Sequence, residues 1–517
     1  MHVQLIHPPV YLNVRSLTAL RPTMPLGLAY IAGVLRRHSH VVTVLDAVAL
    51  APEQVTADGD VVRLGLTTEQ IVARLDPKAQ AFGLTNTWSF SWPLVRELIH
   101  AIKKARPEVP LVCGGEHFTG LAELSLREAP IDYIVMGEGE EIAIDLFAAL
   151  ERKTPVSGIT GIAYLKDGKF VDQGRRARTK GLDELPWPAW DLFDPETYHR
   201  HGLISGLHAG MTVPILATRG CPYQCTFCSS PNMWTTRYYT RDPRDVAQEI
   251  EHYYRHYGAR NFPFHDLTAI VKKSWVVEFC QELLRRELQG ITWQFPSGTR
   301  CEVIDDEVAD LLQRSGGRAL AFAPESGSER TRKLIKKRMK SESLHNSVAA
   351  SVRHGLNVSI FLVIGFPHDT VADLKDTARM VRKLALQGID DIAIGFFFPI
   401  PNTELFHDLL AKGRIQLNDR FLLTPIYAAE GKLDQANNYC DHLSARQLTW
   451  WKRRLWFNFY AVSFAVRPWR VATVLWNSLR GKETRKLETF LVELKRKGLI
   501  WLRGKLGMLP KEAVARA

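Results

Sequence analysis

Three cysteines lie within eight residues of the chain, and their spacing is the first sign of chemistry. Cys221, Cys225 and Cys228 stand four and three residues apart on a loop that contains Gly220 and Pro222. Such spacing lets three thiolates converge on one metal centre and leaves a coordination position open, which a catalytic centre requires. The pattern therefore favours an iron–sulfur cluster with one open iron.

Two further roles for these cysteines stay open. A structural zinc site would offer a fourth cysteine or histidine at a similar short spacing, and the 25 residues after Cys228 contain only His252. A ligand from a distant part of the sequence would still complete such a site, and the thiols could also be buried free cysteines. The spacing and the position of the loop directly after a predicted strand favour the cluster.

The cysteine motif resembles the signature of the radical S-adenosylmethionine (SAM) superfamily. The match is Cys-x-x-x-Cys-x-x-Cys with an aromatic residue, Phe227, before the last cysteine. The resemblance implies a [4Fe–4S] cluster held by Cys221, Cys225 and Cys228, whose open iron chelates the amino and carboxylate groups of SAM. One electron from the cluster would cleave SAM to a 5′-deoxyadenosyl radical that abstracts a substrate hydrogen. Phe227 would pack near the adenine.

Three later segments resemble parts of the same superfamily that contact SAM. An Ala-Pro-Glu-Ser-Gly-Ser segment ends at Ser328, a Gly-Phe-Pro turn is followed by Thr370, and a basic residue follows the third predicted barrel strand. Each could instead be a surface loop, with Ser328 and Thr370 acting as helix N-caps. The resemblance implies the SAM-binding residues Phe227, Arg300, Glu325, Ser326, Gly365 and Pro367.

Strands and helices alternate around these motifs. Six candidate strands, each followed by a helical stretch, are Val213–Thr218, Asn261–His265, Thr292–Pro296, Ala319–Ala323, Val358–Ile364 and Ile392–Phe398. Six such units predict a partial (β/α)6 barrel, which places its chemistry at the C-terminal ends of the strands. The cysteines, Arg300, Glu325 and Gly365 all follow predicted strand ends, so the barrel would bring them together.

The first 150 residues also alternate strands and helices. The candidate strands are Val3–Ile6, Val41–Leu45, Ala81–Leu84, Pro110–Cys113 and Tyr133–Val135, and the candidate helices are Leu26–Arg37, Thr68–Leu75, Pro93–Lys104, Leu121–Glu128 and Glu141–Glu151. This order predicts an α/β domain with a doubly wound parallel sheet of flavodoxin type. Ligands of such sheets bind at the loops that follow the strands.

In front of a radical SAM barrel, this arrangement resembles the cobalamin-binding subclass of the superfamily. The likeness covers about residues 1–410, and the Gly-Gly-x-His and Gly-Glu-Gly-Glu loops are typical of it. Glycines there would let a bulky corrin approach the backbone. The alternative is a sheet kept only as a scaffold. The resemblance implies the cobalamin-binding residues Pro8, Pro9, Thr85, Trp88, Gly114, Gly115, Glu116, His117, Gly137, Glu138, Gly139 and Glu140.

His117 is not predicted to be a cobalt ligand. Cobalamin proteins that ligate cobalt through histidine carry Asp-x-His-x-x-Gly after the first strand. Here Gly115 stands at the aspartate position, and the loop follows the fourth predicted strand. Since a metal-binding imidazole normally needs that carboxylate partner, we expect His117 to be a hydrogen-bonding residue of the loop.

The positive charge of the chain lies almost entirely in its tail. Residues 441–517 contain 17 Lys or Arg and 5 Asp or Glu, so they carry the whole net charge of +12, and residues 1–440 are neutral. Six of the thirteen tryptophans also lie in these residues. The longest nearly apolar run of the tail, Leu455–Val466, is too short to span a bilayer. The pattern favours peripheral membrane contact through residues 446–505. A helical cap on the barrel is the alternative, and nucleic-acid binding is disfavoured because no recognisable RNA-binding module is present.

Four regions follow from these patterns. They are a cobalamin-binding-like domain at 1–150, a hairpin and linker at 151–205, the radical SAM barrel at 206–420 and a helical, basic, tryptophan-rich region at 421–517. Seven cysteines do not form a disulfide framework in a chain of this length, and the N-terminus lacks the pattern of a signal peptide. We therefore expect a cytoplasmic protein, in contact with the cytoplasmic face of the membrane if the tail binds it.

The function expected from the resemblance is cobalamin-dependent C-methylation at an unactivated carbon. The basic, tryptophan-rich tail favours a hydrophobic, membrane-resident substrate, and among known enzymes the layout resembles hopanoid methylases and the anaerobic magnesium-protoporphyrin ester cyclase. The alternative is a radical SAM oxidoreductase or cyclase, acting on a tetrapyrrole or another apolar substrate, that transfers no methyl group. A non-catalytic metal-binding protein at the membrane is a third alternative. The resemblance also implies an electron donor such as flavodoxin or ferredoxin. No residue is assigned as catalytic.

Overall fold

A computed structural model of the chain describes residues 1–12, 22–58, 61–179, 181–207, 209–428 and 431–480, and positions 484, 485, 487, 488, 490–492, 494 and 495. The strands of its N-terminal part are β1 (His2–His7), β2 (Val10–Leu12), β3 (Val41–Asp46), β4 (Val55–Asp58), β5 (Val61–Leu64), β6 (Ala81–Thr85), β7 (Leu111–Gly114), β8 (Tyr133–Val135), β9 (Ile162–Lys166) and β10 (Lys169–Asp172). The helices are α1 (Leu26–Arg37), α2 (Thr68–Val72), α3 (Trp92–Ala105), α4 (Glu116–Gly120), α5 (Ala122–Glu128) and α6 (Gly139–Arg152).

The N-terminal sheet has seven strands in the order β10-β9-β8-β7-β6-β1-β3. Its five predicted strands, from β3 to β8, are parallel, and β9 and β10 extend the β8 edge as an antiparallel hairpin. Helices cover both faces: Val3 and Leu5 of β1 belong to one core cluster with α1 and α6, and Ile6 belongs to another with α3. The predicted doubly wound α/β sheet is therefore confirmed.

A second, smaller sheet was absent from the sequence prediction. Strands β2, β5 and β4 pair antiparallel in that order beside the main sheet. β2 has only three residues and directly follows Pro8 and Pro9, a sequence that is typical of a loop. After the main sheet, α7 (Pro195–Arg200) lies in the predicted linker.

The barrel contains five strands in consecutive order. They are β13 (Asn261–Pro263), β14 (Thr292–Thr299), β15 (Gly317–Glu325), β16 (Asn357–Ile364) and β17 (Asp391–Phe396), all parallel. The first predicted barrel strand does not form a continuous strand: isolated parallel bridges join Thr212 to Asn261 and Ile215 to Phe264. The short strands β11 (Thr218–Arg219) and β12 (Tyr239–Thr240) pair antiparallel beside it.

Helices follow the barrel strands. They are α8 (Ser230–Trp234), α9 (Pro243–His256), α10 (Lys273–Arg285), α11 (Asp306–Arg314), α12 (Glu329–Leu334), α13 (Ser341–Arg353), α14 (Val371–Gln387) and α15 (Glu404–Ala411), with α16 (Asp419–Leu422) and α17 (Thr424–Ala428) beyond. Along β16, Ile360 and Leu362 are buried in the core cluster, whereas the alternate residues Ser359 and Val363 are only half-buried. Because alternate strand residues point to opposite faces, the half-buried set faces the barrel interior, which is therefore accessible.

Two helices form the described part of the tail, α18 (Ala445–Val466) and α19 (Trp469–Leu479). α18 begins with a capping box at Ser444, and its face containing Trp451, Leu455 and Phe459 is buried against α14 and β17. Arg467 and Arg470 donate hydrogen bonds to carbonyl groups at the end of α14. One face of the tail is thus a cap on the barrel. Across the described residues, no helix combines the length and apolarity needed to cross a membrane.

Candidate active site between the ends of the two sheets

The cysteine loop begins directly after β11 and is fixed by backbone contacts. Gly220 adopts a φ of +85°, and a Cβ atom there would stand 2.2 Å from the Arg237 carbonyl oxygen, so only glycine fits. The Cys228 amide donates to the Cys225 carbonyl over 3.1 Å. Cys221, Cys225 and Cys228 are all half-buried and form no disulfide. The loop therefore holds three free thiols at the mouth of the barrel.

The electrostatics around the thiols are mixed. Burial raises the pKa of all three, to about 12 for Cys228, while the positive charges of Lys337 and Arg300 oppose that rise at Cys221 and Cys225. Thiols of this kind are held as thiolates when a metal centre binds them. In the part of the chain that the structure describes, no three His, Cys, Asp or Glu side chains are grouped to hold a single metal ion.

The Gly-Phe-Pro turn lies beside the cysteine loop. The rings of Phe227 and Phe366 are 5.5 Å apart in an edge-to-face contact. The buried carboxylate of Asp369 accepts hydrogen bonds from the amides of Gly365 and Phe366, at 2.9 and 3.1 Å, and burial raises the pKa of this carboxyl to about 6. The structure thus brings Phe227, Gly365 and Pro367 into one region, with Asp369 closing the turn.

Glu325 and Ser326 end β15 on the inner side of the same mouth. Glu325 has a φ of +64°, a strained conformation for a residue with a side chain, and pairs with the half-buried Lys337 ammonium at 3.1 Å. Burial raises the pKa of Glu325, and Lys337 opposes that rise. The Arg300 guanidinium lies 3.9 Å from the centre of the Tyr223 ring on the cysteine loop. Ser328 and Thr370 are N-terminal caps of α12 and α14.

The loops of the N-terminal sheet contribute a second set of residues. Pro8 and Pro9 are buried after β1, Thr85 ends β6, and Trp88 is exposed and stacks on Phe90. Gly114 ends β7, and a Cβ atom on Gly115 would stand 2.6 Å from the Asn86 carbonyl oxygen. Gly115 is thus required by the packing of the chain itself, whereas Gly137, at a φ of +82°, faces open space.

Three acidic side chains of these loops bind the linker and the barrel. Glu116 accepts a hydrogen bond from Ser229, the residue after Cys228. Glu138, which precedes Gly139 at the start of α6, pairs with Arg178 at 3.0 Å, and Glu140 pairs with Arg219. These carboxylates were predicted to contact cobalamin. In the structure they hold the N-terminal domain against the cysteine loop and the linker, and their contact with cobalamin stays a prediction.

His117 lies inside the N-terminal core. Its ring is 1% exposed, stacks on Trp92 with the centroids 4.8 Å apart, and has Ser89 and Ser125 hydroxyls at its two nitrogens. Burial lowers the pKa of this imidazole to about 3. The expectation that His117 hydrogen-bonds within the loop agrees with these contacts. Its side chain does not face the open loop edge, because both nitrogens and one ring face are occupied within the domain.

Three buried polar atoms on or next to the strand-end loops have no hydrogen-bond partner in the described part of the chain. Within the described residues, the Asn86 amide nitrogen after β6 has no hydrogen-bond partner, nor do the Thr226 hydroxyl between the cysteines and the His265 Nε2 atom after β13. Since buried polar groups are normally satisfied, these atoms indicate a polar ligand at the site. The residues present therefore fit a corrin above the sheet edge and SAM in the barrel mouth.

Sequence reasoning missed Asn86, His265, Lys337 and Asp369. Asn86 and His265 stand at the ends of predicted strands, so their position was a usable signal. Lys337 lies in a basic run of the sequence, and only the fold brings it to Glu325. Asp369 follows the Gly-Phe-Pro turn, and only the fold shows that its carboxylate binds the Gly365 amide.

Comparison with known proteins defines the class of this chain. A family model described as the B12 binding domain matches residues 13–147, and one for the Radical SAM superfamily matches residues 215–381. The chain is therefore a radical SAM enzyme with an N-terminal B12-binding domain, as its motifs predicted. The cofactors that belong to these two domains are cobalamin, SAM and a [4Fe–4S] cluster.

Individual relatives share this architecture over most of their length. An uncharacterized methyltransferase of Pyrococcus horikoshii is 27% identical over 89% of this chain and 92% of its own. The anaerobic magnesium-protoporphyrin IX monomethyl ester cyclase of Rubrivivax gelatinosus is 26% identical over 82% and 73%. The radical SAM methyltransferase TsrM of Kitasatospora setae, solved with cobalamin and a [4Fe–4S] cluster, has the same fold, with a TM-score of 0.65, 16% identity and coverage of 89% and 88%.

Proposed function

We propose that this enzyme methylates an unactivated carbon of a hydrophobic, membrane-associated substrate, such as a hopanoid or another isoprenoid lipid. The observation that carries the proposal is the hydrogen bond between Ser229, next to Cys228, and Glu116 of the B12-binding domain, which joins the two strand-end loops. The methyltransferase relative from Pyrococcus horikoshii supports methylation. When bound, the cluster and SAM supply a radical that removes a hydrogen atom, and cobalamin supplies a methyl group.

The residues of the chain take separate parts in this proposal. Cys221, Cys225 and Cys228 hold the cluster, and Phe227, Gly365 and Pro367 form the surface on which the adenine of SAM packs. Arg300, Glu325 and Ser326 contact the polar part of SAM, with Lys337 keeping Glu325 in place. The corrin lies on Pro8, Pro9, Thr85, Trp88, Gly114, Gly115 and Gly137, with Asn86 as a hydrogen-bond donor.

The substrate class rests on the outer face of the tail. Phe457 of α18 is 68% exposed, and Trp469 and Leu479 of α19 are 63% and 69% exposed. Arg480 lies over the Trp476 ring at 4.0 Å, which places a cation beside an exposed aromatic group, as at a lipid headgroup layer. Leu448, one turn into α18, contacts Gly365 at the barrel mouth. The lipid-facing helices thus adjoin the site. Residues 481–483, 486, 489, 493 and 496–505 of the predicted contact lie outside the described residues.

The second candidate is a cyclase or oxidoreductase that transfers no methyl group. The ester cyclase of Rubrivivax gelatinosus favours it, because that relative is nearly as similar, at 26% identity over 82% of this chain. Both candidates use the same cysteine loop and the same strand ends. They differ in the fate of the methyl group of SAM.

Labelled SAM separates the two candidates. The anaerobically purified protein is incubated with methyl-labelled SAM, dithionite and a total lipid extract of the native host. We expect label in an apolar product, together with 5′-deoxyadenosine. Deoxyadenosine without label in any product would contradict methylation and favour the cyclase. An absorption spectrum and a corrinoid extraction of the same preparation test the cluster and cobalamin independently of turnover.

A further inference from the structure

Lys452 of α18 is a cation for which the described residues supply no anion. Its side chain is half-buried and forms no ion pair or hydrogen bond within the described part of the chain. Burial lowers the pKa of its ammonium group to about 8, and none of the described carboxylates opposes that change. Because a cation that is withdrawn from water is normally paired with an anion, Lys452 indicates a ligand that carries negative charge.

The ammonium group of Lys452 lies at the carboxyl end of the last barrel strand. It stands 4.5 Å from the centre of the ring of Phe396, which is the last residue of β17. This cation–π contact offsets only part of the cost of withdrawing an ammonium from water. One turn earlier on α18, Leu448 lies against Gly365, in the turn beside the cysteine loop. Since residues four apart share a helix face, Lys452 lies on the side of α18 that adjoins the barrel mouth.

The end of β17 has accessible space around it. β17 is the last strand of its five-stranded sheet, so one of its edges pairs with no strand among the described residues. Gly395 is exposed, and a Cβ atom there would lie 3.9 Å from the Leu362 carbonyl oxygen, a distance that leaves room. Ile400, in the loop after β17, is 44% exposed. Apolar surface and an unpaired cation therefore lie together at this end of the barrel.

We propose that Lys452 binds an acidic group of the substrate, a phosphate or a carboxylate, so that the substrate is an acidic amphiphilic lipid. The inference rests on the proposed function and narrows its isoprenoid lipids to those with an acidic group. The Phe396 ring would contact the apolar chain, and the ammonium would bind the oxyanion through charge-assisted hydrogen bonds. A neutral lipid would leave the cation unpaired. Free phosphate and the carboxylate of SAM have the same oxyanion chemistry, and the experiment separates these sources.

The test compares an isoprenyl phosphate with its alcohol. Equilibrium dialysis measures the binding of farnesyl phosphate and of farnesol to the anaerobically purified, reconstituted protein. We expect the wild type to bind the phosphate about tenfold more tightly, as a hydrogen-bonded charge pair implies. Lys452→Gln should bind both compounds equally, and Lys452→Arg should restore the preference. Arg453→Gln removes a charge from the neighbouring exposed position of α18 and should bind both compounds like the wild type.

Three results would overturn the proposal. They are a preference for farnesyl phosphate that persists in Lys452→Gln, equal binding of the two compounds by the wild type, and weaker binding of SAM by Lys452→Gln. The last would show that the ammonium binds the SAM carboxylate. Displacement of half the farnesyl phosphate by an equal concentration of inorganic phosphate would also overturn it, because the site would then hold free phosphate.

The labelled-SAM experiment tests the proposed function separately from this site. A wild type that prefers farnesyl phosphate but transfers no label to any lipid would contradict methylation and support the anion site. Label in a neutral lipid only would support methylation and overturn the acidic substrate. Label in the acidic lipids, with loss of that label in Lys452→Gln and its recovery in Lys452→Arg, is the expected result.

Discussion

The guanidinium of Arg219 pairs with the carboxylate of Glu140, and this contact joins the cysteine loop to the B12-binding domain. Arg219 stands two residues before Cys221, and Glu140 lies in the first turn of α6. Burial alone would raise the pKa of Glu140, but the adjacent guanidinium holds it below its ordinary value. The relative position of the two domains is therefore fixed by a buried charge pair at the start of the cysteine loop.

Removing one member of this pair should be costly. Glu140→Gln leaves Arg219 with only the longer contact to Glu138, at 3.7 Å, so we expect the free energy of unfolding of the apoprotein to fall by about 3 kcal/mol. The double variant with Arg219→Gln should lose less than the two single variants combined. Guanidinium denaturation followed by tryptophan fluorescence measures the effect. The exposed pair of Arg127 and Glu123 is the control, and an equal loss in Glu123→Gln would contradict the argument.

The cysteine assignment predicts a selective loss of the cluster. In Cys225→Ala, we expect reconstitution to give no stable cluster absorbance and no SAM cleavage, because one of three ligands is missing, while the circular dichroism spectrum is unchanged. Cys280→Ala, at a buried thiol of α10, is the matched control and should keep both the cluster and turnover. Turnover by Cys225→Ala at the wild-type rate would refute the assignment.

His117 should make the apoprotein sensitive to acid. Its pKa is lowered to about 3 by burial, so the folded protein keeps a neutral ring while the unfolded chain takes up a proton below about 6.5. Its contribution to stability is present above that pH and is lost as the pH falls toward 3, by about 1.4 kcal/mol per pH unit. Thermal unfolding of wild type and His117→Asn between pH 7 and pH 5 measures this.

Two results decide the role of His117. The wild type should lose more stability than His117→Asn as the pH falls, and both proteins should contain the same amount of corrinoid after purification. A stability difference that does not change with pH would show that the ring is not buried as described. Loss of corrinoid from a folded variant would restore His117 as a cobalamin-binding residue.

The order of elements was predictable because both sheets repeat one pattern. Each parallel strand is a short apolar run followed by an amphipathic helix, and this pattern identified the strands β1, β3 and β6 within one or two residues. The sheet β2-β5-β4 was missed because β2 directly follows Pro8 and Pro9, a sequence typical of a loop. The hairpin at β9 and β10 was predicted, but its pairing with β8 depends on tertiary contacts.

The cysteine loop was predictable from spacing, but its surroundings were not. Arg219 and Glu140 are 79 residues apart, and no local pattern links them. The Gly-Glu-Gly-Glu loop suggested ligand binding because its glycines are conspicuous, yet its carboxylates bind arginines of the linker and barrel. The His117 ring points into the N-terminal core. A sequence does not show to which side of a loop a side chain points, so this burial was not predictable.

The exposed face of α19 should bind a lipid surface. Burial of a large apolar side chain is worth about 1.5–3 kcal/mol, so Trp469→Ser/Leu479→Ser should weaken binding to vesicles of phosphatidylserine and phosphatidylcholine by about a hundredfold. Leu50→Ser/Leu386→Ser, at exposed apolar positions elsewhere, should bind like the wild type. Arg480→Glu should weaken binding only to vesicles that contain phosphatidylserine, because its charge acts on anionic headgroups. Cosedimentation measures all four proteins, and unchanged binding by the α19 variant would contradict membrane contact through this face.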